Sequence, residues 1–222
     1  MVEIVLLLAC VAGEQETGSV GSKFLLEPEV SQVLDTPMRR VKWSTPEATV
    51  GEVRYGKTEL DMVVIDDEVG TEHDVWVPGL GIGTDWELQV VAEVGGEPTY
   101  SEIFAVESVG GPANLPMPKP TVSATTELSG FSLVPVQWPG GGYVTVLNGS
   151  GTPIWWKDMV TSATFRARYH ASGPTISYIN GLPEEGPSEL VSTTLDGIET
   201  RIPLVPGIHH DFLALPDGSF VT

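Results

Sequence analysis

The reactive side chains that lie closest together in this sequence are those of His209, His210 and Asp211. A histidine near neutral pH can act as a nucleophile, as a general base or as a metal ligand. Successive side chains of an extended segment point to opposite sides, so the two imidazoles cannot bind one ion without a bend in the chain. The adjacency therefore disfavours a metal site, and we predict that one of the pair, His209 or His210, is a catalytic residue. The open alternative is that both are polar residues beside a turn.

Two arginines and two isolated histidines complete the set of reactive candidates. Arg166 and Arg168 alternate along a predicted strand, so their guanidinium groups would share one side. Such a pair can face an anion, but cross-strand pairing with the abundant carboxylates is the simpler expectation. We expect His73 to be a surface or cross-strand residue and His170 to be structural.

The charge balance excludes one class of partner. The chain has 11 Lys and Arg against 30 Asp and Glu, which gives a formal net charge of −19. Such a chain repels a phosphate backbone, so we expect no nucleic-acid partner. The carboxylates are scattered and lack the spacing of a calcium-binding loop, which indicates a solvated surface.

Residues 1–24 have the pattern of an export and anchoring segment followed by a polar tether. Residues 4–9 are apolar, and Leu7-Leu8-Ala9-Cys10 resembles the lipobox of bacterial lipoprotein signals. The resemblance implies lipid attachment at Cys10, membrane contact through that anchor, and an exported protein of the periplasm or cell surface. The residues also allow a buried thiol beside a first strand. Because Cys10 is the single cysteine, no internal disulfide can form.

The rest of the chain has the pattern of an all-β protein. It contains 25 Gly and 18 Pro, and no window holds a sustained 3.6-residue apolar period. Segments around 41–43 and 51–56 predict two strands joined by a turn-rich segment over 44–50. Strict alternation places Trp86, Leu88, Val90 and Ala92 on one predicted face.

A linker over 108–120 divides this β region. Its four prolines keep the chain extended and withhold backbone donors from a sheet. We therefore predict two domains, one over 25–107 and one over 121–222.

The first domain resembles a fibronectin type III domain. The residues that carry the likeness are Lys42-Trp43, Tyr55-Gly56, Gly79-Leu80, Gly83-Thr84, Trp86 and Tyr100-Ser101. The resemblance implies an immunoglobulin-like sandwich in which Trp43 anchors the core. Trp86 stands where the family has a tyrosine, which leaves that tyrosine's hydrogen bond open. We expect this domain to be a spacer or a binding module.

The second domain has short, evenly spaced predicted strands. Leu147-Asn148-Gly149 and Leu195-Asp196-Gly197 each separate two strands, and the two leucines lie 48 residues apart. A period of roughly 40 to 50 residues with four strands is typical of a β-propeller blade. Asn-Gly and Asp-Gly supply the positive φ angles of tight hairpins. We predict an incomplete β-propeller over 121–222 with about two of the typically 4 to 8 blades. The alternative is a second, complete sandwich.

A second resemblance covers residues 129–222. The segments 142–147, 151–155, 209–212 and 215–218 resemble the early blades of arylsulfate sulfotransferases. The resemblance implies transfer of a sulfuryl group from an aryl sulfate to a phenol through a sulfohistidine, without a nucleotide or metal cofactor. One of His209 and His210 would correspond to a channel-facing family histidine that binds sulfate or handles protons. The family nucleophile would normally lie in later blades.

Two functions remain open at this level. The first is the N-terminal portion of an exported arylsulfotransferase-like enzyme, the fragment itself being inactive because a site assembled from several blades needs the whole ring. The second is a lipid-anchored cell-surface binding or adhesion protein built from β-sandwich modules. Further propeller repeats beyond Thr222 would favour the first function, and a further sandwich domain would favour the second.

Overall fold

The computed structural model describes residues 23–115, 117, 130–138, 141–159, 166–170, 175–181, 188–204, 211–215 and 219–221. Every regular element in these ranges is a β-strand, and the strands pair in antiparallel sheets, which confirms the predicted all-β class. No helix in them is long and apolar enough to cross a membrane. The chain divides between Gly110 and Gly111 into two compact units.

The first unit is built on one six-stranded sheet that curls into a half-barrel. Its strands are β1 (Leu26–Gln32), β2 (Arg39–Gly56), β3 (Met62–Val77), β4 (Trp86–Val94), β5 (Glu97–Tyr100) and β6 (Phe104–Val106). β4 pairs with β2 along one edge and with β5 and β6 along the other. The two short strands β5 and β6 therefore form the edge of the sheet beyond β4.

The two halves of strand β2 have different neighbours in this sheet. Its residues 39–44 lie between β1 and β3, whereas its residues 51–56 lie between β3 and β4. The register with β3 shifts on both sides of Thr49. Such irregularities bend a strand and increase its twist, which curls the sheet around one face. The turn expected over 44–50 is wrong, because the strand continues through this bend.

One face of the curled sheet carries the core of the first unit. Trp86, Leu88, Val90 and Ala92 are all buried in it, which confirms the face predicted from their alternation. Trp43 is 2% exposed and belongs to the same cluster. The cluster also contains Val41, Val53, Tyr55, Val75, Val77 and Leu80. The Trp86 indole nitrogen is buried and has no hydrogen-bond acceptor in the described part of the chain.

The described residues of the second unit form three antiparallel groups of consecutive strands, which we call meanders. The first consists of β7 (Ser132–Trp138), β8 (Gly141–Leu147) and β9 (Pro153–Met159). The second consists of β10 (Ala167–His170), β11 (Thr175–Asn180), β12 (Glu189–Thr194) and β13 (Glu199–Pro203). The third is a short hairpin of β14 (Leu213–Ala214) and β15 (Phe220–Val221).

Contacts join these meanders one after another. The indole N–H of Trp155, a fully buried side chain, donates to the carbonyl oxygen of Leu195 at 2.9 Å. The Lys157 ammonium lies 2.7 Å from the Glu199 carboxylate. Phe212 precedes the hairpin and is buried in an apolar cluster with residues of β11 and β12. The four-stranded sheet is therefore packed on both of its faces.

Both predicted hairpins have longer loops than a two-residue turn. The loop between β8 and β9 spans residues 148–152, and its positive φ, 80°, is at Gly151. The positive φ expected at Asn148-Gly149 is therefore wrong. The side-chain oxygen of Asn148 accepts three hydrogen bonds from inside this loop, which stabilise the wider turn. In the loop between β12 and β13, the positive φ, 88°, is at Gly197, as expected for Asp-Gly.

Gly51 allows the indole of Trp43 to approach the backbone of β2. A Cβ added at Gly51 would lie 2.6 Å from Cζ2 of Trp43 and 3.4 Å from the carbonyl oxygen of Val91. At Gly70 on the neighbouring β3, the nearest atom to an added Cβ lies at 3.4 Å, an ordinary contact. There is therefore no space for a methyl group at Gly51, whereas there is space for one at Gly70.

We expect Gly51→Ala to destabilise the first unit by about 1 to 3 kcal/mol, because the buried indole must leave its place. Urea unfolding followed by far-UV circular dichroism measures the loss as a lower transition midpoint. Gly70→Ala is the matched control and should leave the midpoint within about 0.5 kcal/mol of the parent protein. Equal destabilisation by the two substitutions would contradict the close approach at Gly51.

Candidate functional site

The predicted catalytic and lipidation residues fall outside the described ranges. These residues are His209, His210 and Cys10. The two residues that follow the histidine pair are described: Asp211 is exposed, and Phe212 is 2% exposed. Phe212 packs against Ile179 and Leu190. The second half of the His-His-Asp-Phe motif is thus fixed to the four-stranded sheet.

Arg166 and Arg168 both face the carboxylate of Asp211. Oδ1 of Asp211 lies 3.1 Å from Nε of Arg166 and 3.6 Å from a terminal nitrogen of Arg168. Nε of Arg168 also donates to the carbonyl oxygen of Phe212 at 2.9 Å. Pairing with a carboxylate is confirmed, but the partner lies in the segment leading to the hairpin and not on a neighbouring strand. The two arginines therefore hold residues 211–212 against the start of β10.

His170 extends this row of basic groups along β10. Arg168 and His170 are two residues apart and share a face with Ser177 and Ser192, as the strand register requires. Nε2 of His170 lies 2.7 Å from Oγ of Ser177, which lies 2.6 Å from Oγ of Ser192. A hydrogen-bonded chain thus runs from β10 across β11 to β12. The edge of the Phe220 ring covers the imidazole, with ring centroids 5.7 Å apart.

We call the basic groups at positions 166, 168 and 170 the β10 basic row. Burial lowers the pKa of His170 below its ordinary value of 6.5, because desolvation penalises the imidazolium form. A neutral imidazole beside two guanidinium groups can accept a proton while the guanidinium groups bind an anion. The sequence interpretation assigned His170 a structural role. Its contacts with Ser177 and Phe220 agree with that role.

The opposite face of the same sheet carries a separate charge cluster. Arg201 contacts Glu189 at 2.8 Å and Glu199 at 2.7 Å, and Lys157 of β9 contacts Glu199. Burial opposes ionisation of Glu199, but hydrogen bonds from Lys157 and Arg201 keep its pKa below the ordinary value. Burial and the nearby Glu199 raise the pKa of Tyr178 well above that of a free tyrosine. These charges bind the first two meanders together.

His73 in the first unit is a buried cross-strand residue. It lies opposite Trp43 in the ladder of β2 and β3, and the two rings stack with centroids 4.6 Å apart and planes 8° apart. Its Nδ1 lies 2.7 Å from the Asp66 carboxylate, and its Nε2 lies 3.5 Å from Oγ1 of Thr45. The cross-strand expectation is confirmed. A fully covered side chain cannot reach a substrate, so His73 is not a site residue.

Metal ligands do not gather in the ranges that the structure describes. No group of three or more His, Cys, Asp or Glu side chains has a spacing that would hold an ion there.

A scan against models of known protein families found no match to this sequence. A search of curated proteins found no significant match either.

We expect the stability of the second unit to fall with acidification because of His170. Its folded-state pKa lies below the unfolded value near 6.5, so the unfolded chain binds more protons in the window below pH 6.5. The contribution is therefore present above that pH and is lost as pH falls toward the folded-state pKa. Chemical unfolding across this range should show a shallower pH dependence for His170→Gln than for the parent protein.

The other ionisable groups are common to both proteins and cancel in this difference. An identical pH dependence would show that the buried imidazole does not titrate differently on folding.

Proposed function

We propose that the chain is part of an exported enzyme of the arylsulfate sulfotransferase type, which moves a sulfuryl group from an aryl sulfate to a phenol. The observation that carries the proposal is the β10 basic row: Arg166, Arg168 and His170 at alternate positions, beside the segment that follows the His209-His210 pair. An aryl sulfate is a monoanion with three terminal oxygens, which match guanidinium donors.

The proposed chemistry assigns two tasks to these residues. The guanidinium groups of Arg166 and Arg168 bind the sulfate oxygens and stabilise the negative charge of the sulfuryl group during transfer. A histidine nitrogen forms a bond to sulfur as the S–O bond to the aryl group breaks, and the aryl group leaves as an aryl oxide. A phenol oxygen then bonds to sulfur as the N–S bond breaks, which frees the histidine. The phenol loses its proton to a neutral imidazole, and the lowered pKa of His170 keeps that residue in the neutral form that can accept a proton.

Asp211 occupies the two guanidinium groups when no sulfate ester is bound to the proposed site. Its carboxylate lies within ion-pair distance of both guanidinium groups, so it competes for them with any external anion of the same charge. Asp211 is exposed, and exposed ion pairs are worth only about 0 to 1 kcal/mol. A sulfate ester can therefore displace it at low cost.

The strand arrangement of the second unit supports a propeller as the framework of this enzyme. β10, β11, β12 and β13 follow one another as neighbours in an antiparallel sheet, which is the order of a propeller blade. The first strands of successive meanders, β7 and β10, lie beside each other, as the inner strands of neighbouring blades do. We propose that residues 121–222 form propeller blades and that the β10 basic row lies where two successive blades meet.

The pairings of the first unit support an immunoglobulin-like module of the fibronectin type III kind. β1, the first half of β2 and the second half of β3 form one set of neighbours. The first half of β3, the second half of β2 and β4 to β6 form the other. A sandwich of this family has the same division into two sheets. We propose that this module spaces the enzyme from a membrane to which lipid on Cys10 anchors it.

A binding or adhesion protein is the second candidate. It is favoured by large apolar side chains on the surface of the first unit, which expose more than half of their area: Leu25, Leu26, Ile65 and Val69. A contiguous patch of such residues would mark a protein interaction site. This function needs no anion at the β10 basic row, so an anion-binding measurement separates the two candidates.

We expect the chain to bind 4-nitrophenyl sulfate and not the uncharged 4-nitrophenol, as measured by NMR titration. Arg168→Gln should weaken the binding about two- to fivefold, since an exposed charge contact is lost. Asp211→Asn should strengthen it by a similar factor, because the competing charge is removed while the oxygen that accepts from the Phe212 N–H is kept.

Arg201→Gln is the matched control for these variants. Arg201 lies on the opposite face of the same sheet and already pairs with Glu189 and Glu199, so its loss should leave the affinity unchanged. Binding that is absent from the parent protein and from Asp211→Asn, or that Arg201→Gln weakens as much as Arg168→Gln does, would refute the proposed site and favour the binding protein.

A further inference from the structure

The loop between β8 and β9 holds an asparagine in an unusual environment. Oδ1 of Asn148 accepts hydrogen bonds from the backbone N–H of Ser150 at 3.1 Å, from the Ser150 hydroxyl at 2.7 Å and from the backbone N–H of Thr152 at 2.9 Å. Backbone N–H groups only donate, so they fix which end of the amide faces the loop. Three donors on one carbonyl oxygen draw electron density from Cγ.

The residue after Asn148 is suited to attack that carbon. Gly149 has no side chain to hinder approach to its nitrogen, and the loop is at least partly open to water. The loop's internal backbone hydrogen bonds join Asn148 N–H to Thr152 and Gly151 N–H to Asn148, and neither uses the N–H of Gly149. Among the residues that the structure describes, the Gly149 N–H has no acceptor, so it can lose its proton to hydroxide.

We propose that Asn148 is a self-modification site, at which this folded turn promotes deamidation. The deprotonated Gly149 nitrogen forms a bond to Cγ of Asn148, and the negative charge moves to Oδ1, where the three donors stabilise it. The C–N bond to the side-chain amide then breaks, and ammonia leaves with a proton from water. The resulting succinimide takes up one water molecule and opens to aspartate or isoaspartate at position 148.

The two products have different consequences for the turn. An aspartate keeps an oxygen for the same three donors and adds one negative charge. An isoaspartate carries the backbone through its side chain and adds a methylene group between positions 148 and 149. That extra length disturbs a loop in which Asn148 N–H donates to the Thr152 carbonyl oxygen at 3.0 Å.

A second Asn-Gly pair, Asn180-Gly181, serves as an internal control. Asn180 is the last residue of β11 and lies opposite Glu189 in the ladder with β12. The backbone of Gly181 is crowded by Ser188, whose Cα would lie 2.9 Å from an added Cβ. Ring closure needs rotation about these bonds, which the sheet end and Ser188 hinder.

The test is to incubate the folded protein in mildly alkaline buffer, digest it with pepsin in acid and follow both asparagines by mass spectrometry. We expect Asn148 to react at least about tenfold faster than Asn180, because three donors face its carbonyl oxygen whereas Ser188 crowds the backbone of Gly181. In concentrated urea the two rates should converge, since both sites are then Asn-Gly in an unfolded chain. Equal rates in the folded protein, or faster reaction at Asn180, would overturn the proposal.

Two variants examine the assigned roles of the loop residues. Ser150→Ala removes the hydroxyl donor and should slow the reaction at Asn148 about two- to tenfold in the folded protein. It should have no effect in urea. Gly149→Ala should slow it in both conditions, because a methyl group then shields the nitrogen. An unchanged rate for folded Ser150→Ala, with circular dichroism like that of the parent protein, would exclude stabilisation by the Ser150 hydroxyl.

Discussion

The stack of Trp43 on His73 fixes the geometry on which the first unit depends. The two rings meet across β2 and β3 just before the bend of β2, and the Asp66 carboxylate, from beyond the bend on β3, holds the imidazole. The contact therefore joins the two halves of β3 as well as the two strands. Because Gly51 leaves room for the same indole on the far side of the bend, one aromatic side chain sets the curl of the sheet.

The second unit uses Trp155 in a comparable way. Its indole is fully buried and donates to the Leu195 carbonyl oxygen, so the first meander is fixed to the loop between β12 and β13. On the other face of the four-stranded sheet, Arg168 donates to the Phe212 carbonyl oxygen and holds the segment before the hairpin. The β10 basic row is thus part of the contact between meanders, and a functional role for it would be added to a structural one.

Local patterns in the sequence predicted part of this structure well. The period of two at Trp86, Leu88, Val90 and Ala92 gave the buried face of β4, because alternation is a property of the strand itself. The bend at 44–50 was mistaken for a turn, since this segment has the composition of a loop. The strand continues through it because β2 pairs with β1, β3 and β4 on either side of the bend.

The β10 basic row was predicted only in part. Its alternation was visible at Arg166 and Arg168, but Asp211 lies more than forty residues further along the chain, and no local signal pairs them. The hydrogen bonds of His170 likewise join three strands, so only the folded register brings Ser177 and Ser192 into line. The wide loop at Asn148 was missed because its side chain, and not the backbone preference of Asn-Gly, determines the turn.

The arrangement of the meanders in chain order has a consequence for cooperativity. The described contacts join each sheet to the next one in the chain. The free energy of unfolding of such a unit is close to a sum of one term for each sheet and one for each interface between neighbours, as in repeat proteins. A substitution of Trp155 then weakens the interface between the first meander and the four-stranded sheet. It affects the hairpin only through that sheet. Such a unit can open in steps, with amide protection that differs from one sheet to the next.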